Sequence, residues 1–387
     1  MTDRFDADVA VVGAGPAGAR TAELLAGQGH NVIIFERNAQ VGEPVHCTGI
    51  VSRECLERYD LPRSLVHHEV SSFVLRSPKG RGAQVRRKSV QAYVVDRVAL
   101  DRHLVERACA AGARLLTSAT VDDLEWDGAG VRMLATVSGR HEVRYLRAAV
   151  LATGYGAPLA RRLGLSQTGD VISGAQVVVE APNVSQVEVF TGGAHGRGGF
   201  GWLVPHRPGY ALAGVLTRSG TVPRMQQFVE RLQAEGRVGA VDQVYRCRPI
   251  PLGVAKKTVI DGIIGVGDVV NQVKPTTGGG IYYGLLGADA AAETLAEALA
   301  NGGLTAQELA PYEQRWRHLM ASEIALGYQL RRVIEQLPDA VIEQMHRLLR
   351  MPGLRRILLS AAMPFDWHAG ALLRFVDRLQ HHRHATS

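Results

Sequence analysis

A cysteine lies in the segment GEPVHCTGI, at residues 42–50. The thiol of Cys47 has four chemical uses: a redox partner, a metal ligand, a proton donor, or a small side chain that fills space. A metal site needs three or four ligands at suitable spacing, whereas His46 is the one ligand-type neighbour. We therefore expect no metal here, and the choice among the other uses depends on what surrounds the loop.

The segment ADVAVVGAGPAGARTAELLAGQGHNVIIFER, residues 7–37, has the spacing of a dinucleotide-binding site. It predicts a strand over 7–12, a helix to about residue 28, and a second strand over 31–35. Gly13, Gly15 and Gly18 form GxGxxG at the turn into the helix, where backbone N–H groups and the positive helix end bind a pyrophosphate. Glu36 then follows the second strand, where an acid accepts hydrogen bonds from a ribose.

A second glycine-rich segment, GVGDVVNQVKPTTGGGI at residues 265–281, favours FAD over a nicotinamide cofactor. It predicts a strand over 263–266, a turn containing Asp268, and a long helix opened by three glycines. This second polar clamp suits the ribityl chain and pyrophosphate of FAD, and a nicotinamide enzyme has no use for it. Because no separate NAD(P)H domain is evident, we expect an external electron donor, either NAD(P)H or a ferredoxin.

Together with VDRVALDRHLVERACAAGA (residues 95–113) and LATG (151–154), these segments resemble the FAD-dependent monooxygenase-type flavoproteins. The resemblance runs from about residue 6 to 299. It implies that Arg97 lies near the FAD, that the backbone near Val121 contacts the adenine, and that Asp268 contacts the ribityl chain.

Two segments resemble the geranylgeranyl reductase family within that superfamily. GEPVHCTGI resembles its cysteine-bearing FAD loop, and RGGFGWLVPH, residues 197–206, resembles its PxxYxWxFP signature. Trp202 and Pro205 match strictly, Phe200 stands for tyrosine, and Arg197 and Val204 depart from the pattern. The Trp-x-Trp-x-Ile-Pro of the halogenases is absent.

Phe200 and Trp202 alternate along a predicted strand, so both face one side of its sheet. Rings beside a flavin suit an extended isoprenoid better than a polar ring substrate. Each ring taken alone is also typical of an ordinary core.

We expect the backbone of this loop and the Cys47 side chain to line the flavin. Alkene reduction needs a proton as well as a hydride, and a thiol beside the flavin can donate or relay it; whether Cys47 is this catalytic proton donor or only a flavin contact stays open at this level. The family resemblance makes Cys247, in RCRPIPLG, the candidate partner if the thiol instead forms a disulfide. The predicted substrate contacts are Phe200 and Trp202, and the predicted cofactor contacts are Gly13, Gly15, Ala17, Gly18, Glu36, Arg37, Cys47, Thr48, Ile50, Arg97, Val121, Asp268, Gly279, Gly280 and Ile281.

The chain of 387 residues predicts an α/β (α+β) fold with three parts. We expect a discontinuous Rossmann-like FAD-binding domain at 1–170 and 250–303, a β-sheet substrate domain at 171–249, and a helical cap at 304–387. The net charge of +7 favours anionic partners, and the basic helical end predicts contact with a membrane surface. Without a signal peptide, a spanning segment or a basic run interleaved with aromatics, we expect a cytoplasmic protein, peripheral at the inner face of the membrane, that binds no nucleic acid.

The expected function is reduction of isolated double bonds in an isoprenoid chain by reduced FAD. Candidate substrates are geranylgeranyl diphosphate, a prenylated lipid and a quinone tail. The rival functions are a flavin-dependent monooxygenase or halogenase of secondary metabolism and a non-catalytic flavin-bound lipid carrier. Chain length, head group, the number of bonds reduced and oligomeric state stay open at this level.

Overall fold

The computed structural model describes residues 4–165, 169–241, 245–351 and 365–367. Residues 352–364 and 368–387 of the basic carboxyl-terminal segment, for which the sequence predicts helices, lie outside these residues. The strands are β1 Ala7–Val12, β2 Val32–Phe35, β3 Ile50–Ser52, β4 Val66–Val70, β5 Ser72–Arg76, β6 Gly82–Arg86, β7 Ala92–Val95, β8 Arg114–Leu116, β9 Ala119–Trp126, β10 Val131–Val137, β11 Arg140–Leu151, β12 Val171–Glu180, β13 Val187–Thr191, β14 Phe200–Pro205, β15 Tyr210–Thr217, β16 Arg246–Pro251, β17 Val259–Ile260 and β18 Ile263–Gly265. The α-helices are α1 Pro16–Gly27, α2 Arg53–Arg58, α3 Arg97–Ala110, α4 Pro158–Arg162, α5 Thr221–Ala234, α6 Ile281–Asn301, α7 Ala310–Trp316, α8 Ser322–Ile334 and α9 Asp339–Leu349.

The chain forms two compact units, each assembled from three segments. The first unit consists of Met1–Val45, Arg97–Asp170 and Pro251–Ile324, and the second of His46–Asp96, Val171–Ile250 and Ala325–Ser387. Residues 46–96, which the sequence analysis placed in the FAD-binding domain, thus pack with the second unit. The division into FAD-binding, substrate and cap domains by function stays a prediction.

The first unit is built on an eight-stranded sheet. Its strand order is β17-β18-β11-β1-β2-β8, and β9 and β10 extend β11 as an antiparallel ribbon. The strands β1 and β2 pair in parallel and are almost entirely buried, as expected for apolar strands covered on both faces. Helix α1 packs against both α3 and α6, so the glycine turn before α1 is held on a rigid scaffold.

The second unit is built on a seven-stranded sheet in the order β16-β12-β15-β14-β13-β5-β6. One face packs against α5 through side chains such as Met225, Phe228 and Leu232. The opposite face packs at one end against a three-stranded sheet, β3-β7-β4, which contributes Ala92 and Val94.

The structure confirms the predicted α/β class. The first strand is found over the predicted residues, and α1 ends one residue earlier than expected. No helix among the described residues is long and apolar enough to cross a membrane.

Candidate cofactor and substrate sites

The glycine turn of the first unit has the shape that a pyrophosphate requires. Gly13 has a φ of 107°, and a Cβ atom there would lie 2.5 Å from the Ala152 carbonyl oxygen. A Cβ atom on Gly18 would overlap the carbonyl oxygen of Gly13, whereas nothing lies within 4 Å of the same position on Gly15. Two glycines therefore permit close packing, and the third leaves open space at the amino end of α1. That helix has no side-chain cap and no acid in its first turn, so its positive end is available to an anion.

Glu36 lies beside this turn and is held by backbone donors. Its Oε2 accepts a hydrogen bond from the Ala14 N–H at 3.0 Å, and its Oε1 accepts from the Asn38 N–H at 2.9 Å. Oε1 also accepts from the Asn38 side-chain amide at 2.8 Å, and the Glu36 residue is 9% exposed. These three hydrogen bonds leave one lone pair, on Oε2, for a ribose hydroxyl. Arg37 follows it and is exposed.

Arg97 is the first residue of α3, and a buried acid orients it. Its Nη2 donates to both oxygens of Asp101, at 2.7 and 2.8 Å. Burial raises the pKa of Asp101, and the Arg97 guanidinium opposes that shift. The sequence analysis did not identify Asp101, although its position four residues after Arg97 on a helix is a signal for such a pair.

Val121 belongs to β9, whose first residue is bonded to the backbone of Glu36. The Ala119 N–H donates to the Glu36 carbonyl oxygen at 2.9 Å. Val121 is buried and lies two residues farther along this strand. The structure therefore places the predicted adenine contact next to the predicted ribose contact.

Asp268 and Gly280 meet at the amino end of α6. A Cβ atom on Gly280 would overlap Oδ1 of Asp268, so glycine is required for the carboxylate to lie against the helix start. Helix α6 has no side-chain cap and no acid in its first turn. Ile281 is its first residue, and Gly279 packs against the side chain of the buried Lys274, a cation that the sequence analysis did not assign.

A buried hydrogen-bond chain fixes the turn that carries Asp268. The Gln272 Oε1 accepts from the Gly267 N–H at 2.7 Å, and its Nε2 donates to the Tyr312 hydroxyl at 2.9 Å. That hydroxyl donates in turn to the Gly265 carbonyl oxygen at 2.6 Å. Gln272 and Tyr312 are therefore positioning residues for Asp268, separated from each other by 40 positions in the chain.

The two glycine-rich segments lie side by side in the first unit. A Cβ atom added to Gly267 would lie 3.3 Å from the Ala17 Cβ, and one added to Gly284 would lie 3.4 Å from it. Ala17 thus joins the start of α1 to the turn before α6. The start of α1 and the turn before α6 are therefore adjacent, which fits a dinucleotide that contacts both.

The loop that contains Cys47 belongs to the second unit. Cys47 is exposed, and its sulfur accepts a hydrogen bond from the Gly49 N–H at 3.4 Å. The Thr48 hydroxyl donates to the Gln176 Oε1 on β12 at 2.9 Å, and Ile50 begins β3. All four cysteines are among the described residues, and all are free thiols. The disulfide between Cys47 and Cys247 is therefore not formed.

Phe200 and Trp202 lie on one face of the second unit's sheet, as predicted. Trp202 pairs with Gly214, which pairs with Gln176, and residues paired across strands share a face. A Cβ atom on Gly214 would overlap the Trp202 indole, so the ring lies across the glycine in the direction of Gln176. The Phe200 and Trp202 ring centroids are 5.9 Å apart. The Cys47 loop therefore meets, through Thr48 and Gln176, the same cross-strand row that carries Trp202.

The predicted site residues form two groups. Cys47, Thr48, Ile50, Phe200 and Trp202 belong to the second unit, and the other predicted cofactor contacts belong to the first. Gln176 was not predicted, since its role depends on a loop 128 positions away. No metal-binding cluster of histidine, cysteine and acidic side chains occurs among the described residues.

Comparisons with known proteins agree with this geometry. Residues 6–325 match the model of the FAD binding domain family. The chain is 30% identical over 370 residues to digeranylgeranylglycerophospholipid reductase 2 of Methanothermobacter thermautotrophicus, covering 90% of this chain and 93% of the relative.

Solved structures extend the comparison to the fold. A geranylgeranyl bacteriochlorophyll reductase-like protein of Thermoplasma acidophilum superposes with a TM-score of 0.84 at 20% identity, covering 95% of this chain and 99% of the other. The p-nitrophenol 4-monooxygenase of Pseudomonas putida superposes with a TM-score of 0.74 at 16% identity, covering 92% and 97%. At these identities, the two structures establish the shared fold.

Proposed function

Because the chain belongs to the FAD binding domain family, and within it to the family of the digeranylgeranylglycerophospholipid reductases, we propose that it is an FAD-dependent reductase that saturates carbon–carbon double bonds of an isoprenoid lipid. The observation that carries this proposal is the Trp202 indole laid across Gly214 and next to Phe200, on the face that the Cys47 loop meets. A wall of this kind suits an extended apolar chain.

The residues of the first unit fit FAD. The turn at Gly13–Gly18 would hold the pyrophosphate, Glu36 the ribose, and Arg97 a phosphate or the adjoining sugar. Asp268 and the amino end of α6 would hold the ribityl chain and the polar edge of the ring. In support, the two helix ends are uncapped, and the two glycine segments meet at Ala17.

Reduced FAD supplies a hydride when bound, and saturation of an alkene also requires a proton at the second carbon. We assign that proton to the Cys47 thiol. The sulfur accepts a hydrogen bond from the Gly49 N–H, and this bond would stabilise the thiolate that remains after the proton is donated. The thiolate then regains a proton from solvent, because Cys47 is exposed. The apolar rings of Phe200 and Trp202 orient the chain and exclude water.

A single-turnover experiment tests this function. The purified holoprotein is reduced with dithionite under nitrogen and mixed with geranylgeranyl diphosphate or a digeranylgeranyl glycerophospholipid. We expect reoxidation of the flavin together with a product heavier by about two mass units per saturated bond. Product unchanged in mass with both substrates would refute the reductase assignment. Aerobic NADPH-driven formation of a product heavier by one oxygen atom would establish the monooxygenase instead.

The electron donor is assigned by the same flavin signal. We propose an external donor, NAD(P)H or a reduced ferredoxin, because the GxGxxG at Gly13–Gly18 opens a helix, whereas the second match, Gly196–Gly201, leads into strand β14. Anaerobic bleaching of the flavin by NADH, NADPH or reduced ferredoxin, tested separately, distinguishes them. Failure of all three to reduce the flavin would refute both donor classes.

We further propose that the protein is peripheral to a membrane and attaches through α9. This helix has an inverted arrangement: its buried side chains include Glu343 and His346, whereas Val341, Met345 and Leu348 are 38%, 50% and 43% exposed. Glu343 accepts from the Lys79 N–H at 2.6 Å, and the His346 ring contacts the Thr191 hydroxyl at 3.2 Å. An apolar helix face turned outward, on a chain of net charge +7, fits an anionic lipid surface.

Vesicle flotation with phosphatidylglycerol tests this attachment. Leu348→Asp should abolish binding to the vesicles, whereas Gln344→Asp, which adds the same charge at an exposed polar position of α9, should reduce it only slightly. Equal effects of the two variants would mean that the apolar face plays no part.

A further inference from the structure

The second unit contains a cavity that the proposed chemistry does not use. Its volume is about 420 Å³, which is within the range of small-molecule sites. It is lined by two short segments, the first turn of α5 and the carboxyl end of α8, namely Gly196, Arg197, Thr217, Arg218, Ser219, Arg224, Arg332, Glu335 and Gln336.

The lining of this cavity is strongly cationic. Four arginines, Arg197, Arg218, Arg224 and Arg332, face it together with one carboxylate. That carboxylate, Glu335, is already engaged, because it accepts from the Arg218 guanidinium at 2.8 and 3.0 Å and from Arg331 at 3.1 Å. It therefore cannot neutralise the other arginines of the cavity.

The remaining guanidinium groups have no acidic partner among the described residues. Arg224 donates to the carbonyl oxygens of Ser219 and Ala194, each at 3.1 Å. Arg197 and Arg332 are exposed and make no hydrogen bond or ion pair with any described residue. Planar guanidinium groups without a carboxylate are suited to bidentate binding of phosphate.

The backbone around the cavity adds to its preference for an anion. Helix α5 begins at Thr221 directly after the lining residue Ser219 and the αL residue Gly220, with no side-chain cap and no acid in its first turn. Its unsatisfied N–H groups and its dipole thus present positive charge at this end. Glycine at position 196 lets the backbone approach the Arg224 side chain closely, since a Cβ atom on Gly196 would lie 3.3 Å from Nε of Arg224.

The cavity lies at the same end of the sheet as the apolar wall. Phe200 pairs with Leu216, and Leu216 directly precedes the lining residues Thr217 and Arg218. Arg197 precedes Phe200 by three positions. An amphipathic molecule whose chain lies on Trp202 and Phe200 would extend past this end of the sheet toward Arg197 and Arg218, whereas Arg224 belongs to α5 on the opposite face.

We propose that this arginine cavity binds the phosphate group of the substrate's polar end, an inference that rests on the proposed function for the identity of the ligand. The phosphate belongs either to a prenyl diphosphate or to the phosphodiester or phosphomonoester of a prenylated glycerophospholipid. Arg197 and Arg332 are the specificity-determining residues, since both are available to the ligand without breaking an ion pair.

The test measures binding in the oxidised holoprotein, without turnover. Isothermal titration with inorganic pyrophosphate and, separately, with dihexanoyl phosphatidic acid is compared for the wild type and for the double variant Arg197→Ala/Arg332→Ala. The matched control, Arg86→Ala/Arg347→Ala, removes the same charge from exposed positions of the second unit outside the cavity. We expect the double variant to lose affinity by about tenfold per arginine, the low end for charge-assisted hydrogen bonds, and the control to lose less than about twofold from screened long-range charge.

The two ligands also identify the source of the phosphate. Tighter binding of pyrophosphate indicates a prenyl diphosphate, and tighter binding of phosphatidic acid indicates a phospholipid; either result supports the cavity. Absence of binding to the wild type, or equal affinity in the wild type and the double variant, overturns it.

A measurement of KM distinguishes this proposal from the reductase assignment. With an active enzyme, the double variant should raise KM for geranylgeranyl diphosphate on the order of 100-fold and leave KM for geranylgeraniol unchanged. Loss of phosphate binding in the double variant supports the cavity even if no prenyl compound is reduced, in which case the proposed function alone fails. Conversely, reduction of geranylgeranyl diphosphate with the same KM in both proteins refutes the cavity and leaves the function standing.

Discussion

Removal of the Glu36 carboxylate should weaken FAD binding far more than it weakens folding. The side chain has two tasks in the structure: its oxygens accept from the Ala14 and Asn38 backbone N–H groups, and they are placed to accept from a ribose. Glu36→Gln keeps one oxygen for a backbone donor but loses the negative charge and half of the acceptor capacity. A hydrogen bond to a charged group contributes about 1.5–3 kcal/mol, so loss of one ribose bond should raise the Kd for FAD by roughly 10- to 150-fold.

The assay is a fluorescence titration of the apoprotein with FAD, together with urea unfolding of the same apoprotein. Asp8→Ala is the matched control, because the Asp8 Oδ2 accepts from the Asn31 N–H at 2.8 Å in the same unit. We expect Asp8→Ala to lower stability without changing the Kd for FAD. The reasoning is refuted if Glu36→Gln binds FAD as tightly as the wild type, or if Asp8→Ala loses the same affinity.

The remaining predictions concern positioning, pH and the thiol. Gly287→Ala would place a Cβ atom onto the Gln272 amide oxygen, so we expect it to displace the turn carrying Asp268 and weaken FAD binding by at least tenfold; near-normal affinity in the same titration would contradict this. Burial, with added repulsion from nearby arginines, lowers the pKa of His195 from 6.5 to about 4. As the pH falls, the unfolded state therefore binds the proton before the folded state does. The free energy of unfolding should fall by about 3 kcal/mol between pH 6.5 and pH 4. Urea unfolding of His195→Gln should lack that part of the pH slope, and an unchanged slope would assign it elsewhere. Cys47→Ser should slow alkene saturation by about 10²–10⁴-fold while reduction of the flavin by dithionite stays fast, and equal losses in both half-reactions would remove the special role of the thiol.

The parts of the site that depend on local sequence could be predicted. The turn from Gly13 to Gly18 and the acid at Glu36 lie within one strand–helix–strand unit, so their spacing reports their geometry. The period-two placement of Phe200 and Trp202 likewise fixes the face that they share. In each case the relevant residues are close in the chain, and the backbone alone determines where they point.

The residues that hold these groups in place could not be predicted, because their partners are distant in the chain. Gln272 has no motif of its own, and its role arises from the Tyr312 hydroxyl and the Gly267 N–H. Gln176 is one polar residue in an apolar strand until the Thr48 hydroxyl bonds to it. The arginine cavity is a stronger case, since Arg197, Arg218 and Arg332 come from a loop, a strand end and a helix end. Such groups become recognisable only when packing brings them together.

The fold does not distinguish a reductase from an oxygenase, since the superposition on a p-nitrophenol monooxygenase covers nearly the whole chain. The distinction must come from the face of the second unit's sheet that carries Phe200 and Trp202. Its three cross-strand rows there are Val204–Leu212–Val178, Trp202–Gly214–Gln176 and Phe200–Leu216–Gly174.

In these rows the polar side-chain groups are the Gln176 amide and the Trp202 indole N–H. The amide oxygen already accepts from the Thr48 hydroxyl, and the indole N–H is buried without a partner among the described residues. Selection of a phenol depends on buried groups that pair with the substrate hydroxyl, since such pairing supplies the discrimination against apolar analogues, and in these rows the indole N–H is the buried group left for such a pair. The aliphatic and aromatic rows, the glycine beneath the Trp202 ring and the arginines past one end match a long apolar chain with an anionic terminus. Specificity for an isoprenoid lipid then follows from shape and from its charged end, and it requires no hydrogen bond along the chain.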